Sequence, residues 1–117
     1  MKVKRILTNI KTDEPSQAGQ FYETIFGMSV VMDQGWIMTY GSEERMDVQI
    51  SFASEGGSGT LVPDISIEVD DLEEVLQRCA SAGIEIVYGP VEEPWGVKRF
   101  YVRDPFGKLV NVLVHIV

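Results

Sequence analysis

With 18 acidic against 10 basic side chains, a formal net charge of -8, this 117-residue chain is ill suited to nucleic acid, where releasing phosphate counterions takes a basic patch. Its 44% hydrophobic and 24% charged residues are ordinary for a soluble globular protein, and its length suits one domain with a real core. No apolar run nears the ~20 residues of a membrane span, Met1-Lys2-Val3-Lys4-Arg5 leads into a strand and not a secretory signal, and the lone Cys79 excludes an intrachain disulfide, which together read as cytoplasmic.

Val3 to Lys11 alternates imperfectly, as a strand does. Thr12-Asp13-Glu14-Pro15 supplies a capping oxygen and a first-turn proline for a helix. Ala18, Phe21, Tyr22 and Ile25 form its apolar stripe, and Gly27 is placed to cap its end. Three short β segments follow, Ser29 to Met32, Trp36 to Tyr40 and Asp47 to Phe52. Ala53 to Thr60 is rich in glycine and serine and reads as a flexible linker, here taken as 54–60 between a first module of about 1–53 and a second of about 61–117.

Beyond the linker the order begins again. Asp64 to Val69 is a strand, and Asp70-Asp71-Leu72-Glu73 opens a helix as a capping box. Leu72, Val75, Leu76 and Cys79 are its stripe, which makes Cys79 an inert core thiol, and Gly83 ends it. Glu85 to Tyr88 is a further strand. Arg99 to Arg103 and Leu109 to Val114 then flank Asp104-Pro105-Phe106-Gly107, whose early proline and late glycine make a hairpin turn. Gly27 and Gly83 lie 56 positions apart and Asp13 and Asp70 lie 57 apart, so a β-α-β-β-β unit is written twice. The fold class is α+β.

Strand parity assigns faces. Asp64, Ser66 and Glu68 alternate with Ile65, Ile67 and Val69, while Asn111 faces away from Val110 and Val112. With the helices covering the apolar face, Asn9, Gln49, Ser51, Asp64, Ser66, Glu68 and Asn111 share the other, which is either a binding cleft or a solvated outer surface. Trp36 and Trp95 are candidates for stacking on a flat or cationic ligand, and Glu68 for holding a positive group. Arg99 and Arg103 could bind an anion or pair with acids of the hairpin, and Asp104 caps its own turn. One histidine, His115, cannot support a Ser-His-Asp or Cys-His set.

The run Pro94-Trp95-Gly96 followed by Arg103-Asp104-Pro105-Phe106-Gly107 resembles the last hairpin of the glyoxalase / bleomycin-resistance / extradiol-dioxygenase superfamily, also called vicinal oxygen chelate. The resemblance spans nearly the whole chain and implies two βαβββ modules forming a curled mixed sheet, with helices on the convex face. Metal-using members carry one ligand on each of four strands, and the positions that match here are Leu7, Gln49, Asp64 and Asn111. Leucine cannot ligate, and one carboxylate with two amides leaves at most a weak oxygen site for a divalent cation, so no resident cofactor is expected. The resemblance therefore implies a metal-independent binder of a small cationic or aromatic compound such as an antibiotic, through Trp36, Gln49, Asp64, Glu68, Trp95, Tyr101 and Asn111. A lyase, isomerase or dioxygenase with an atypical metal site is the rival reading, and a homodimer is the expected assembly.

Overall fold

A computed structural model describes residues 8, 10, 12–44 and 52–116. Most of the strand expected over Val3 to Lys11, and most of that expected over Asp47 to Phe52 with Gln49 in it, lie outside the described residues. The chain divides into two compact units, Met1–Ser54 and Glu55–Val117.

In the first unit, Pro15–Ala18 is a 3₁₀ turn that runs into helix α1, Gly19–Phe26. Proline opens the turn because its missing N–H is not needed there. Thr12 Oγ1 accepts from the Glu14 amide at 3.1 Å, so the capping oxygen acts one step before the helix itself. The expected stripe holds, with Phe21, Tyr22 and Ile25 all buried. Phe21 and Tyr22 meet edge to face at 5.0 Å, and Tyr22 reaches Tyr40 at 6.5 Å. Gly27 ends α1 at φ 65°, a conformation that costs a residue with a Cβ.

Strands β1, Ser29–Asp33, and β2, Met38–Gly41, form an antiparallel pair with a bulge between Val30 and Met32. Trp36 lies in the turn between them and not in β2, where the sequence had placed it. There the Gly35 amide bonds Asp33 Oδ1 at 2.8 Å and the Gln34 amide bonds the Ile37 carbonyl. The turn carries the indole out into solvent, 77% exposed.

The second unit holds β3 (Ile65–Glu68), helix α2 (Leu72–Ser81), β4 (Tyr88–Glu93), β5 (Val97–Arg103) and β6 (Leu109–His115). Its sheet order is β3-β6-β5-β4, with β3 parallel to β6 and the other pairs antiparallel. Asp71 caps α2 by accepting from the Glu74 amide at 3.1 Å, and Gly83, at φ 70°, ends it. The cap is therefore Asp71 alone, with Glu74 at the third helical position. Phe100 faces Val112 and Val102 faces Val110 across the hairpin, and all four are fully buried. Leu72, Val75 and Cys79 of α2 are buried too, and α2 packs against β6. This is the core of the unit.

Asp104 Oδ1 accepts from the amides of Phe106 and Lys108, both at 2.9 Å, which holds the hairpin turn as expected. Strand β4 differs from expectation. The strand expected over Glu85 to Tyr88 begins only at Tyr88, and although Gly89-Pro90 looks like its end, pairing runs on to Glu93 because β4 is the edge of the described sheet, with a bulge between Tyr88 and Val91. On an edge, proline's missing donor need face no neighbour. Gly89, at φ 79°, lies so close to β5 that a Cβ would come within 2.6 Å of the Arg99 carbonyl oxygen.

Cys79 is fully buried, and that burial raises its thiol pKa, so the reactive thiolate is both hidden and scarce. A thiol-specific chromogenic reagent should leave Cys79 unmodified in the native protein and label it stoichiometrically in denaturant. Rapid native labelling would contradict the packing of α2.

Candidate functional site

The sheet of the second unit has a polar face built by strand register. Ser66, Asn111, Tyr101 and Tyr88 form one row across β3, β6, β5 and β4. Glu68, Leu113, Arg99 and Val91 form the next, and His115, Val97 and Glu93 a third. The expectation that Ser66, Glu68 and Asn111 share a face is met.

Arg99 dominates this face although it is only 3% exposed. Its Nη2 pairs with Glu93 Oε2 at 2.7 Å, and its Nη1 donates to the Tyr101 hydroxyl at 2.8 Å. The guanidinium carbon lies 4.9 Å from the Tyr101 ring centroid, 5.0 Å from that of Trp95 and 5.5 Å from that of Tyr88. Three rings and a carboxylate thus replace the arginine's water. The cage is needed because taking two charges out of water costs several kcal/mol each, and only close geometry with further hydrogen bonds offsets it. Even so, Arg99 Nε is buried with no partner among the described residues.

The glycine-rich stretch read as flexible linker lies on this face and is held there. Its turn closes through the Gly56 amide on the Thr60 carbonyl at 2.9 Å and the Thr60 amide on the Gly57 carbonyl at 3.0 Å. Ser58 donates to Glu93 at 2.9 Å, and Thr60 Oγ1 lies 2.9 Å from the Tyr101 hydroxyl. Arg99 Nη2 reaches the Gly57 carbonyl at 3.3 Å. Glycine is required here by close approach, since a Cβ on Gly56 would fall 2.6 Å from the Tyr101 hydroxyl and one on Gly57 2.5 Å from the Trp95 ring. A run of glycines has no hydrophobic periodicity, so this role had no signal beyond composition.

The expected site residues divide accordingly. Tyr101 is 2% exposed and belongs to the Arg99 cluster, while Trp95, in the turn between β4 and β5, covers Arg99 and leaves about half its surface open at 51%. Asp64 is engaged, its Oδ2 accepting from the Leu109 amide at 2.8 Å. Asn111 Nδ2 donates to Ser66 Oγ at 3.1 Å, and its Oδ1 is buried without a partner among the described residues. Glu68 pairs with His115 at 3.0 Å on the exposed side of the same face. Trp36 belongs to the first unit, and Gln49 lies outside the described residues. Sequence reading passed over Glu93, Tyr88, Ser58 and Thr60. Placing a strand over Tyr88 to Glu93 would still have set the first two on opposite faces by alternation, and it is the bulge between Tyr88 and Val91 that brings both to the face of Arg99.

The same geometry tests for a metal. Of the four positions matching ligands, Leu7 has no donor atom, Asp64 already serves a backbone amide, and Asn111 and Gln49 offer only amide oxygens. His115 is committed to Glu68. Among the described residues no three His, Cys, Asp or Glu side chains converge on a cation position. This donor set does not fit a transition metal.

Burial pushes the Glu93 carboxyl up, but hydrogen bonds from Ser58, Tyr88 and Arg99, with the Arg99 charge, outweigh it and hold its pKa below the ordinary 4.5. A depressed folded-state pKa contributes stability that is full above 4.5 and is lost as pH falls toward the folded value. Urea unfolding from pH 7 down to 3 should therefore show falling stability below about 4.5, and Glu93→Gln should flatten that limb. Arg99→Met, which strands a buried carboxylate, should cost about 3–5 kcal/mol at pH 7 and less in acid.

The fold described here recurs in known proteins. The model of the Glyoxalase/Bleomycin resistance protein/Dioxygenase superfamily matches residues 5–112. No curated protein matches the sequence. Among solved structures, TnmS3, an antibiotic binding protein from Streptomyces sp. CB03234, is similar with a TM-score of 0.69 at 16% identity, over 98% of this chain and 98% of its own. TioX from Micromonospora sp. ML1 is similar at 0.64 and 21% identity, over 97% of this chain and 98% of its own. A superfamily member from Sphaerobacter thermophilus DSM 20745 gives 0.64 at 18%, over 91% and 92%. At these identities the likeness shows the α+β fold alone, while the family match covers most of the sequence: the chain belongs to the Glyoxalase/Bleomycin resistance protein/Dioxygenase superfamily.

Proposed function

We propose that this protein is a metal-independent small-molecule-binding protein that holds a planar aromatic compound against Trp95 at the rim of the polar face, as an antibiotic-sequestering protein would. The observation that carries this reading is the half-exposed indole braced from behind by Arg99 at 5.0 Å. An indole so fixed has little freedom to lose on binding, which is where affinity is gained cheaply. Sequestration needs a shaped aromatic surface and no catalytic group, which agrees with a donor set unsuited to a metal. TnmS3 is described as an antibiotic binding protein, and its likeness to this chain supports the same class.

Of the cationic and aromatic preferences expected, the aromatic one is better supported. Asp64 and Glu93 are already satisfied within the fold, and Trp95 turns one face to the protein's own cation. Glu68 is paired with His115 and exposed, and exposed charges interact weakly in water.

Calorimetric titration with neutral, cationic and anionic naphthalene derivatives tests this. Trp95→Ala should weaken the best binder about threefold to tenfold, the loss of one aromatic contact. Glu68→Gln should change it less than about twofold. A chelator should change nothing, and elemental analysis should find no stoichiometric zinc, nickel, iron or manganese. Unchanged affinity in Trp95→Ala, or binding abolished by the chelator, would overturn the proposal.

A further inference from the structure

The turn Gly56–Thr60 does to the polar face what a ligand would do. The Gly57 carbonyl takes a hydrogen bond from Arg99 Nη2, and the carbonyls of Gly56 and Leu61 each stand 3.4 Å from the Tyr101 hydroxyl. Gly57 itself abuts the Trp95 ring, so that a Cβ there would fall 2.5 Å from the nearest ring carbon. The face is thus filled by backbone alone, with one threonine hydroxyl and one serine hydroxyl as fasteners.

That fit is incomplete. The bonds from Arg99 Nη2 to Gly57 and Thr60 are long, 3.3 and 3.5 Å, against 2.7 Å to Glu93, and Arg99 Nε has no partner among the described residues although the residue is 97% buried. The cluster is one acceptor short even when closed. Ser58 is held at φ 52°, which a residue with a Cβ adopts at some cost.

We infer that Glu55–Leu61 is a built-in occupant of the ligand site, displaced by a planar aromatic compound that carries a carbonyl oxygen. The ring takes the place of Gly57 on the indole, and the oxygen takes the place of the Gly57 carbonyl on Arg99, within reach of the unpartnered Nε. The chemistry follows from what the segment leaves behind. Arg99 and the Tyr101 hydroxyl present donors, so the incoming group is an acceptor, and because Glu93 already balances Arg99 a neutral carbonyl suits the site better than a carboxylate. The inference rests on the Trp95 reading above. It adds that binding is reduced by the fraction of molecules in which the segment is closed, so loosening the segment tightens binding.

The test uses two probes of one shape, 2-acetylnaphthalene and 2-ethylnaphthalene, which differ by the carbonyl oxygen. The acetyl compound should bind at least about fivefold more tightly, the worth of one hydrogen bond to a charged group. At saturation, amide hydrogen exchange at Gly56 and Thr60 should speed up, because the bonds that close the turn are broken. Thr60→Val, which removes the fastening hydroxyl without adding bulk, should tighten the acetyl probe about threefold. Gly57→Ala, whose Cβ meets the indole, should act in the same direction.

Exchange that slows or stays constant at saturation would overturn the inference, since the segment would then be a clamp or a bystander. Equal affinity for the two probes, or failure of both to bind, would overturn it as well. If 2-ethylnaphthalene binds through Trp95 while exchange is unchanged, the aromatic site stands and the displaced segment falls. If no naphthalene derivative binds at all, both fall. The exchange measurement needs only the wild-type chain, so it decides the matter even if a variant misfolds.

Discussion

The polar side of the second unit depends on the ion pair between Arg99 and Glu93. A guanidinium this deep is tolerated only because a carboxylate stands 2.7 Å away and three aromatic rings wrap the remaining surface. Each partner positions something else. Glu93 gathers Ser58 and Tyr88, and Arg99 gathers Tyr101, Thr60 and the Gly57 carbonyl. Two neighbouring strands and a glycine-rich turn are thereby fastened to one charge pair. The sheet supplies the spacing, and the pair supplies the reason for the turn to lie where it does.

That arrangement also engages the acidic side chains named on the polar side of the second unit. Its carboxylates on the polar side are spoken for: Asp64 by the Leu109 amide, Glu93 by Arg99 and Glu68 by His115. The positions where metal-using relatives hold ligands have here become structural or amide-bearing. What stays open is an aromatic edge, Trp95, while beneath the surface Asn111 Oδ1 has no partner among the described residues.

Much of the fold is legible in the sequence. Helix stripes at Phe21, Tyr22 and Ile25 and at Leu72, Val75 and Cys79 are local periodicities, and Gly27, Gly83 and Asp104-Pro105-Phe106-Gly107 are local punctuation. Strand parity also put Ser66, Glu68 and Asn111 on one side, because register carries a face across neighbouring strands. Less local facts are hidden. Gly89-Pro90 reads as a break unless the strand is known to be an edge, and Glu93 reads as solvated until Arg99 lies across from it. The glycines at 56 and 57 look like slack because nothing in their composition shows that Tyr101 and Trp95 come within reach. Each miss depends on a contact between residues far apart in the chain.

The sheet order has a bearing on how the second unit is made. β3, the first strand of that unit, pairs with β6, the last, so Ser66 meets Asn111 only after α2, β4 and β5 have been laid down between them. Until β6 arrives, β3 has no neighbour among the described strands of its sheet, and its Ile65 and Ile67 lack Val110 and Val112 as partners. The local hairpins can zip early, whereas the parallel pairing must close the longest loop of the unit. On the ribosome, then, the β3 edge waits unpaired until synthesis has passed His115, and this is the interval in which the nascent chain is most open to mispairing.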